Sequence, residues 1–251
     1  MLTVDLAVFM GQSNMAGRGT AADAPRLRGG MGYEFRAVTA PDRLIALEEP
    51  FGKDENNPDG VFEPGMKTGS LVSAFVKACV EITETPIVGV SCSKGGSEIA
   101  EWLPETAYYS DALHRVNMCK KWLTDNGYTI RHSFMVWCQG CTDGDRGTPT
   151  DIYKERTAKV LLSFLRDAEL EKCFLIQIGN HRDKPELYVR LQRAQEELAT
   201  ENEDIVMVSR LFKTFAEKGL MKDEFHYLQE GYNLVGAEAG AKVGRFWNEV
   251  E

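Results

Sequence analysis

The 251-residue chain lacks any apolar run near the roughly 20 residues that a membrane-spanning helix needs. It is short of basic charge, with 29 Lys and Arg against 38 Asp and Glu and a formal net charge of −9. Such an excess of acid repels phosphate backbones and argues against a nucleic-acid partner. Six cysteines in 251 residues are too few for a disulfide scaffold. They are Cys79, Cys92, Cys119, Cys138, Cys141 and Cys173, and several sit inside apolar runs, where free thiols act as small hydrophobes. The start, Met1 to Asp5, has no basic segment ahead of an apolar one, so the expectation is a cytoplasmic protein, with a trimmed secreted form left open. Internal repeats and low-complexity linkers are missing too. What is present is ordinary for a globular protein: 43% hydrophobic, 10% aromatic and 27% charged side chains, enough for a core without staples.

Five short apolar runs read as strands: 4–10, 86–90, 133–137, 173–178 and 204–208. They are near-continuously apolar and rich in β-branched or aromatic residues, as buried parallel strands are. Between and after them, 71–82, 112–123, 153–168, 185–199 and 230–248 carry helical spacing. The alternation predicts a three-layer α/β/α sandwich, with a mainly parallel sheet of about five strands in a single domain, 1–251. Residues 18–68, rich in Gly, Pro and Asp, break the pattern and are expected to form one long surface excursion.

Ligands of such sheets bind beyond the carboxyl ends of the strands. There this chain places Gly11-Gln12-Ser13-Asn14-Met15-Ala16-Gly17, Ser91-Cys92-Ser93-Lys94-Gly95-Gly96-Ser97, Cys138-Gln139-Gly140-Cys141-Thr142-Asp143-Gly144, Gly179-Asn180-His181-Arg182-Asp183 and Asp223-Glu224-Phe225-His226. Small, polar and ionisable residues converge on one edge. Ser13, on a Gly-flanked turn into a helix, can present a nucleophilic hydroxyl beside helix amides, or serve only as a helix N-cap. A nucleophilic serine needs a base. His114 falls inside a predicted helix and His132 precedes a strand at the wrong end of the sheet, which leaves His181 and His226. Asp223, three residues before His226, lets one turn present a base and its orienting carboxylate; a capped helix start uses the same spacing. Lys94-Gly95-Gly96 lacks the rest of a phosphate-binding loop.

The blocks Gly11-Gln12-Ser13-Asn14-Met15-Ala16-Gly17, Gly95-Gly96-Ser97 with Trp102, Trp137-Cys138-Gln139-Gly140 with Asp143, and Asp223 with His226 together resemble the SGNH-hydrolase carbohydrate esterases. The branch is that of family 6 acetylxylan esterases and sialate O-acetylesterases, and the blocks span residues 11–226. The resemblance implies a serine esterase that removes O-acetyl groups from a carbohydrate, of acetylated xylo-oligosaccharide or sialic acid type, through an acyl-enzyme intermediate. It implies Ser13 as nucleophile, His226 as base and Asp223 as its carboxylate. The oxyanion hole would combine the amides of Ser13 and of Gly95 or Gly96 with the Gln139 side chain. Gln12 and Asn14 would brace the serine loop, with no metal or cofactor. Arg18, Trp102, Tyr108, Tyr109, His181 and Arg182 lie on predicted loops near this edge, as substrate contacts or as rim packing.

One position departs from the family pattern, which carries an acidic residue where this chain has Cys141. A thiol cannot stabilise imidazolium, so Asp223 is left to do so. The departure motivates an alternative, a carbohydrate-binding protein of the same fold with weak or lost catalysis. It also creates Trp137-Cys138-Gln139-Gly140-Cys141, a dithiol pattern of oxidoreductases. Those sites put the first cysteine at a helix start, whereas the Gly/Asp stretch 142–149 is expected to be loop. Cys138 and Cys141 have no second Cys/His pair for a closed zinc site.

Overall fold

The computed structural model describes residues 2–250. Seven strands form one sheet: β1 (Leu2–Gly11), β2 (Gly32–Arg36), β3 (Ala40–Ala46), β4 (Ile87–Ser93), β5 (Tyr128–Cys138), β6 (Lys172–Ile176) and β7 (Ile205–Ser209), in the order β3-β2-β4-β1-β5-β6-β7. All neighbours run parallel except the β2–β3 hairpin. The helices are α1 (Ser13–Ala16), α2 (Val72–Thr83), α3 (Ala107–Asp125), α4 (Cys141–Arg146), α5 (Thr150–Asp167), α6 (Glu186–Glu201) and α7 (Gln229–Val250). No helix among the described residues is long and apolar enough to cross a membrane.

Strand β1 shows why three layers form. Its side chains alternate, so Val4, Leu6, Val8 and Met10 enter one core with residues of α3, α5 and α6. Ala7 and Phe9 enter the other, with Phe75 and Cys79 of α2 and Val235, Ala239 and Val243 of α7. Both faces are covered, and this explains the continuous apolar character of the central strands.

The five predicted strands and five predicted helices are all present, with modest boundary shifts. Two expectations need correction. Residues 18–68 are not simply a surface excursion, because the β2–β3 hairpin within them extends the sheet from five strands to seven. Charge hid these strands. Glu34 is fully buried in β2, where Arg36 (2.8 Å) and the Gly52 amide (2.9 Å) satisfy it. Strand β3 is the edge, where Pro41, Asp42 and Arg43 are exposed and tolerated. The rest of the segment is pinned down by buried polar side chains. Arg115, fully buried on α3, donates to the carbonyls of Glu55 (3.2 Å) and Val61 (3.3 Å) and pairs with Asp111 (2.8 Å). The second correction is α4, a short helix where a Gly/Asp loop was expected; it ends at Gly147.

Candidate active site

Strand register builds the site. Gly11, the last residue of β1, pairs with Ser93 on one side and Cys138 on the other, so three strands end level. Their following loops, 12–17, 94–97 and 139–146, meet at one edge. Gly11 has a φ of +137°, and a Cβ there would overlap the Cys138 carbonyl. Only glycine allows this approach. The Gln12 amide then donates to the Cys138 carbonyl at 2.9 Å, and the chain turns into α1 at Ser13.

Ser13 is the first residue of α1 and Gln12 is its cap, so the hydroxyl does not cap the helix. The Ser13 Oγ instead lies 3.0 Å from His226 Nε2. His226 Nδ1 lies 2.8 Å from Asp223 Oδ2, while Asp223 Oδ1 accepts the amides of Phe225 (3.0 Å) and His226 (2.8 Å). Asp223 caps no helix, since α7 begins only at Gln229. Burial holds the His226 imidazole below the ordinary histidine range; Asp223 opposes the shift, and Arg18 and Lys222 add to it. Burial alone would raise the Asp223 carboxyl, but the two amides and the imidazole outweigh it and keep it below the usual carboxylate range. A neutral imidazole between a carboxylate and a hydroxyl is poised to take the hydroxyl proton.

Two predicted bracing residues lie beside the serine. Gln12 Oε1 accepts the Gly140 amide at 2.7 Å. Asn14 Nδ2 donates to the Phe225 carbonyl at 3.0 Å, and its Oδ1 accepts from Tyr232 of α7 at 2.8 Å, tying the serine turn to the histidine loop. The oxyanion candidates separate. The Ser13 amide heads α1, a position that helix geometry leaves without an intrahelical acceptor. Gly95 donates its amide to Glu63 Oε2 at 2.9 Å, whereas no acceptor among the described residues takes the amide of the exposed Gly96. Gln139 is not in the cleft: it is fully buried, and its amide group donates to the Ser97 carbonyl (3.1 Å) and to Asp143 Oδ2 (2.5 Å).

Around Ser13 and His226 runs an open cleft of about 530 Å³, lined also by Arg18, Gly95, Gly96 and Thr142. Arg18 pairs with Glu63, and the pair packs so tightly on Gly95 that a Cβ there would overlap both. Trp102 was expected near the rim and is instead core: fully buried, donating to Ser97 Oγ at 2.9 Å and edge-on to Trp137. Tyr109 is buried as well, bonded to Asp167. His181 is half-buried outside the cleft lining, with its ring 6.1 Å from that of Phe225. Asn180 braces loops, bonded to Lys213 and Gln192. His114 is exposed on α3.

All six cysteines are buried free thiols. Burial pushes the Cys138 thiol up to about 12 and raises that of Cys141 too. It is Cys141, not Cys138, that starts a helix. Thiols held protonated and away from solvent do not suit a dithiol oxidoreductase. No cluster of three or more His, Cys, Asp or Glu among the described residues is placed to hold a metal ion.

Sequence reading missed Glu63, Phe62, Met66 and Asp145 in the cleft lining, whereas Thr142 and Phe225 fall within the blocks it placed at this edge. The first three lie in the segment set aside as excursion, and Glu63 meets partners 45 and 32 residues away, a separation that no local pattern reveals.

The site thus rests on a mainly parallel α/β/α sandwich, with a serine turn after the first strand and an Asp-x-x-His loop before the last helix. The profile of the family described as carbohydrate esterase, sialic acid-specific acetylesterase, matches residues 3–243, and the chain belongs to that family. It is a carboxylic ester hydrolase by that membership. Among solved structures it is similar to a protein from Arabidopsis thaliana (20% identity, TM-score 0.75, covering 96% of this chain and 98% of that one). A carbohydrate acetylesterase from Xanthomonas citri follows at 16% identity and TM-score 0.60, covering 97% of this chain and 56% of that one. An acetyl-xylooligosaccharide esterase from Geobacillus gives 14% identity and TM-score 0.53, covering 96% and 94%. At these identities the likeness is one of fold. None of the curated proteins compared matches the chain.

Proposed function

We propose that the protein is a serine esterase that removes O-acetyl groups from a carbohydrate, of acetylated xylo-oligosaccharide or sialic acid type, through an acyl-enzyme intermediate. The observation that carries the reading is the chain of contacts from Ser13 Oγ to His226 Nε2 (3.0 Å) and from His226 Nδ1 to Asp223 (2.8 Å). His226 takes the Ser13 proton as the oxygen attacks the ester carbonyl, and Asp223 keeps the proton on Nδ1 so that Nε2 is the base. The amides of Ser13 and Gly96 meet the negative charge of the tetrahedral stage. His226 then returns the proton to the departing sugar hydroxyl, leaving the acetyl group on Ser13, and water repeats the cycle with the same base. Gln139 and Asp143 act beneath, by holding the Ser97 carbonyl and the Ile99 amide (2.9 Å) behind the Gly95-Gly96 turn.

Cys141 favours the catalytically weak alternative only if histidine depends on an acid at that position. Asp223 already engages the ring, while Cys141, also in the cleft lining, meets the Asn14 amide at 4.0 Å rather than the imidazole. Acetate release across acetylated sugars, including xylo-oligosaccharides and sialic acids, tests the activity and names the substrate. A serine-directed phosphonate should add one label per chain, lost in Ser13→Ala. A label on another serine sinks the assignment.

A further inference from the structure

Phe62 and Met66 are 43% and 54% exposed, and both line the cleft that holds Ser13 and His226. Exposed apolar side chains are ordinary when scattered, but two lining the cleft that holds Ser13 and His226 call for an occupant. They do not sit on a loose loop. The fully buried Val61 donates its amide to Asp111 at 2.9 Å. The Glu63 carboxylate holds the Gly95 amide, and the Glu63 amide donates to Asn56 Oδ1 at 2.8 Å. Lys67 is buried with its ammonium 3.1 Å from Ser91 Oγ. Val61, Glu63 and Lys67 therefore anchor the turn on both sides, and Phe62 and Met66 between them are left in water. A wall ordered in advance binds without a further ordering cost. Phe225 adds a third apolar group, its ring 4.8 Å from the His226 ring and at 81° to it.

The chemistry says which half of an ester meets this wall. The acyl group becomes bonded to Ser13, which is only 6% exposed on the cleft floor. The alcohol must accept its proton from His226 and leave by the mouth. We infer that Phe62 and Met66, with Phe225, form the subsite for the alcohol half of the ester, and that it takes an alcohol presenting a flat apolar face, the C–H face of a pyranose ring. Thr142 and Asp145 line the same cleft and offer polar atoms to ring hydroxyls. The inference rests on the esterase reading above and adds to it the form of the alcohol.

The test compares two esters with the same acyl group, a peracetylated methyl xylopyranoside and ethyl acetate, on the full chain and on Phe62→Ala, Met66→Ala and the double variant. Both residues are exposed, so folding is not at stake; circular dichroism checks it. The double variant should raise KM for the xylopyranoside ester by about tenfold, with kcat on that ester and kcat/KM on ethyl acetate within about twofold of the parent. Phe62→Tyr, which keeps the ring, should retain the parent KM. A parent that discriminates between the esters and a double variant that discriminates equally well would overturn the subsite alone. Equal loss of kcat on both esters would overturn it too, by assigning the turn a structural role. No turnover of either ester by the parent would sink the esterase reading and this subsite with it.

Discussion

Two histidines of this chain stand in almost the same company. His132 Nδ1 lies 3.1 Å from Glu171, whose other oxygen accepts the Ser133 amide at 2.7 Å. His226 Nδ1 lies 2.8 Å from Asp223, whose other oxygen accepts the amides of Phe225 and His226. The two side chains are equally buried, 14% and 15% exposed. Each is an imidazole held by a carboxylate that is itself held by backbone. What separates them is the rest of the ring's surroundings. His132 lies flat on Trp247, ring centroids 4.0 Å apart at 9°, while His226 turns Nε2 toward the Ser13 hydroxyl. They also lie far apart along the sheet: six residue steps of β5 lead from His132 to Cys138, roughly 20 Å at strand spacing. A His–carboxylate pair is thus no site in itself. The pair at His226 differs in standing where strands end level and a serine hydroxyl meets the ring.

The largest effect should come from removing the base. His226→Ala is expected to lower turnover of an activated acetate by on the order of 10⁴-fold or more, leaving only the oxyanion amides and binding. Steady-state rates with folding checked by circular dichroism measure it. A comparable collapse in His181→Ala with His226→Ala still active would transfer the role.

Next is the carboxylate. Asp223→Asn preserves shape but removes tautomer control and the charge that meets imidazolium, which costs about 10⁴ in turnover in a comparable triad. The pH profile carries the same comparison. Only neutral imidazole accepts the serine proton, so activity should rise with pH through the His226 titration and fall below it. Because burial holds this histidine under its ordinary range, the acid limb should lie below that of a free histidine. In Asp223→Asn the opposing negative charge is gone, and the limb should move further down. A limb that stays in place would detach Asp223 from the base.

These two residues were legible in the sequence for a physical reason. Asp223 and His226 are three apart and follow the last predicted strand, and Ser13 follows the first, so local spacing and strand order carried the information. The same logic separated His132, which lies in the first half of its strand, away from the carboxyl end. Illegible were the groups that work across the fold. Glu34 disguised a strand because its partner Arg36 and the Gly52 amide make burial tolerable. Trp102 resembled a rim residue because nothing local says that Ser97 and Trp137 enclose it. Gln139 resembled an oxyanion donor until Asp143 and the Ser97 carbonyl were seen to hold its amide group.

A smaller effect is expected at Glu63. Its carboxylate fixes the Gly95 amide and neutralises Arg18 beside the cleft. Glu63→Gln keeps an acceptor for Gly95 and loses the charge, so kcat should fall by about tenfold, less than the 10²–10³ of a deleted oxyanion donor. KM should change little, since the hole acts on charge present only at the transition state. A KM change with kcat intact would assign Glu63 to substrate binding instead.

The smallest effect on rate should be at the other histidine. His132→Ala removes a ring stacked on Trp247 and bonded to Glu171, a region that shares no residue with the cleft lining. Turnover should therefore stay within about twofold of the parent, because nothing at the level strand ends moves. Stability should not stay. An aromatic contact of this kind is worth about 0.5–1.5 kcal/mol, and for a chain of this size about 1 kcal/mol shifts the melting midpoint by roughly 2–4 °C. The expected result is a lower midpoint with an unchanged rate at 25 °C, the reverse of His226→Ala, where the rate collapses and the midpoint barely moves. If His132→Ala instead cost as much turnover as Glu63→Gln at unchanged stability, the two histidines would be coupled through the sheet, and the separation between them would fail.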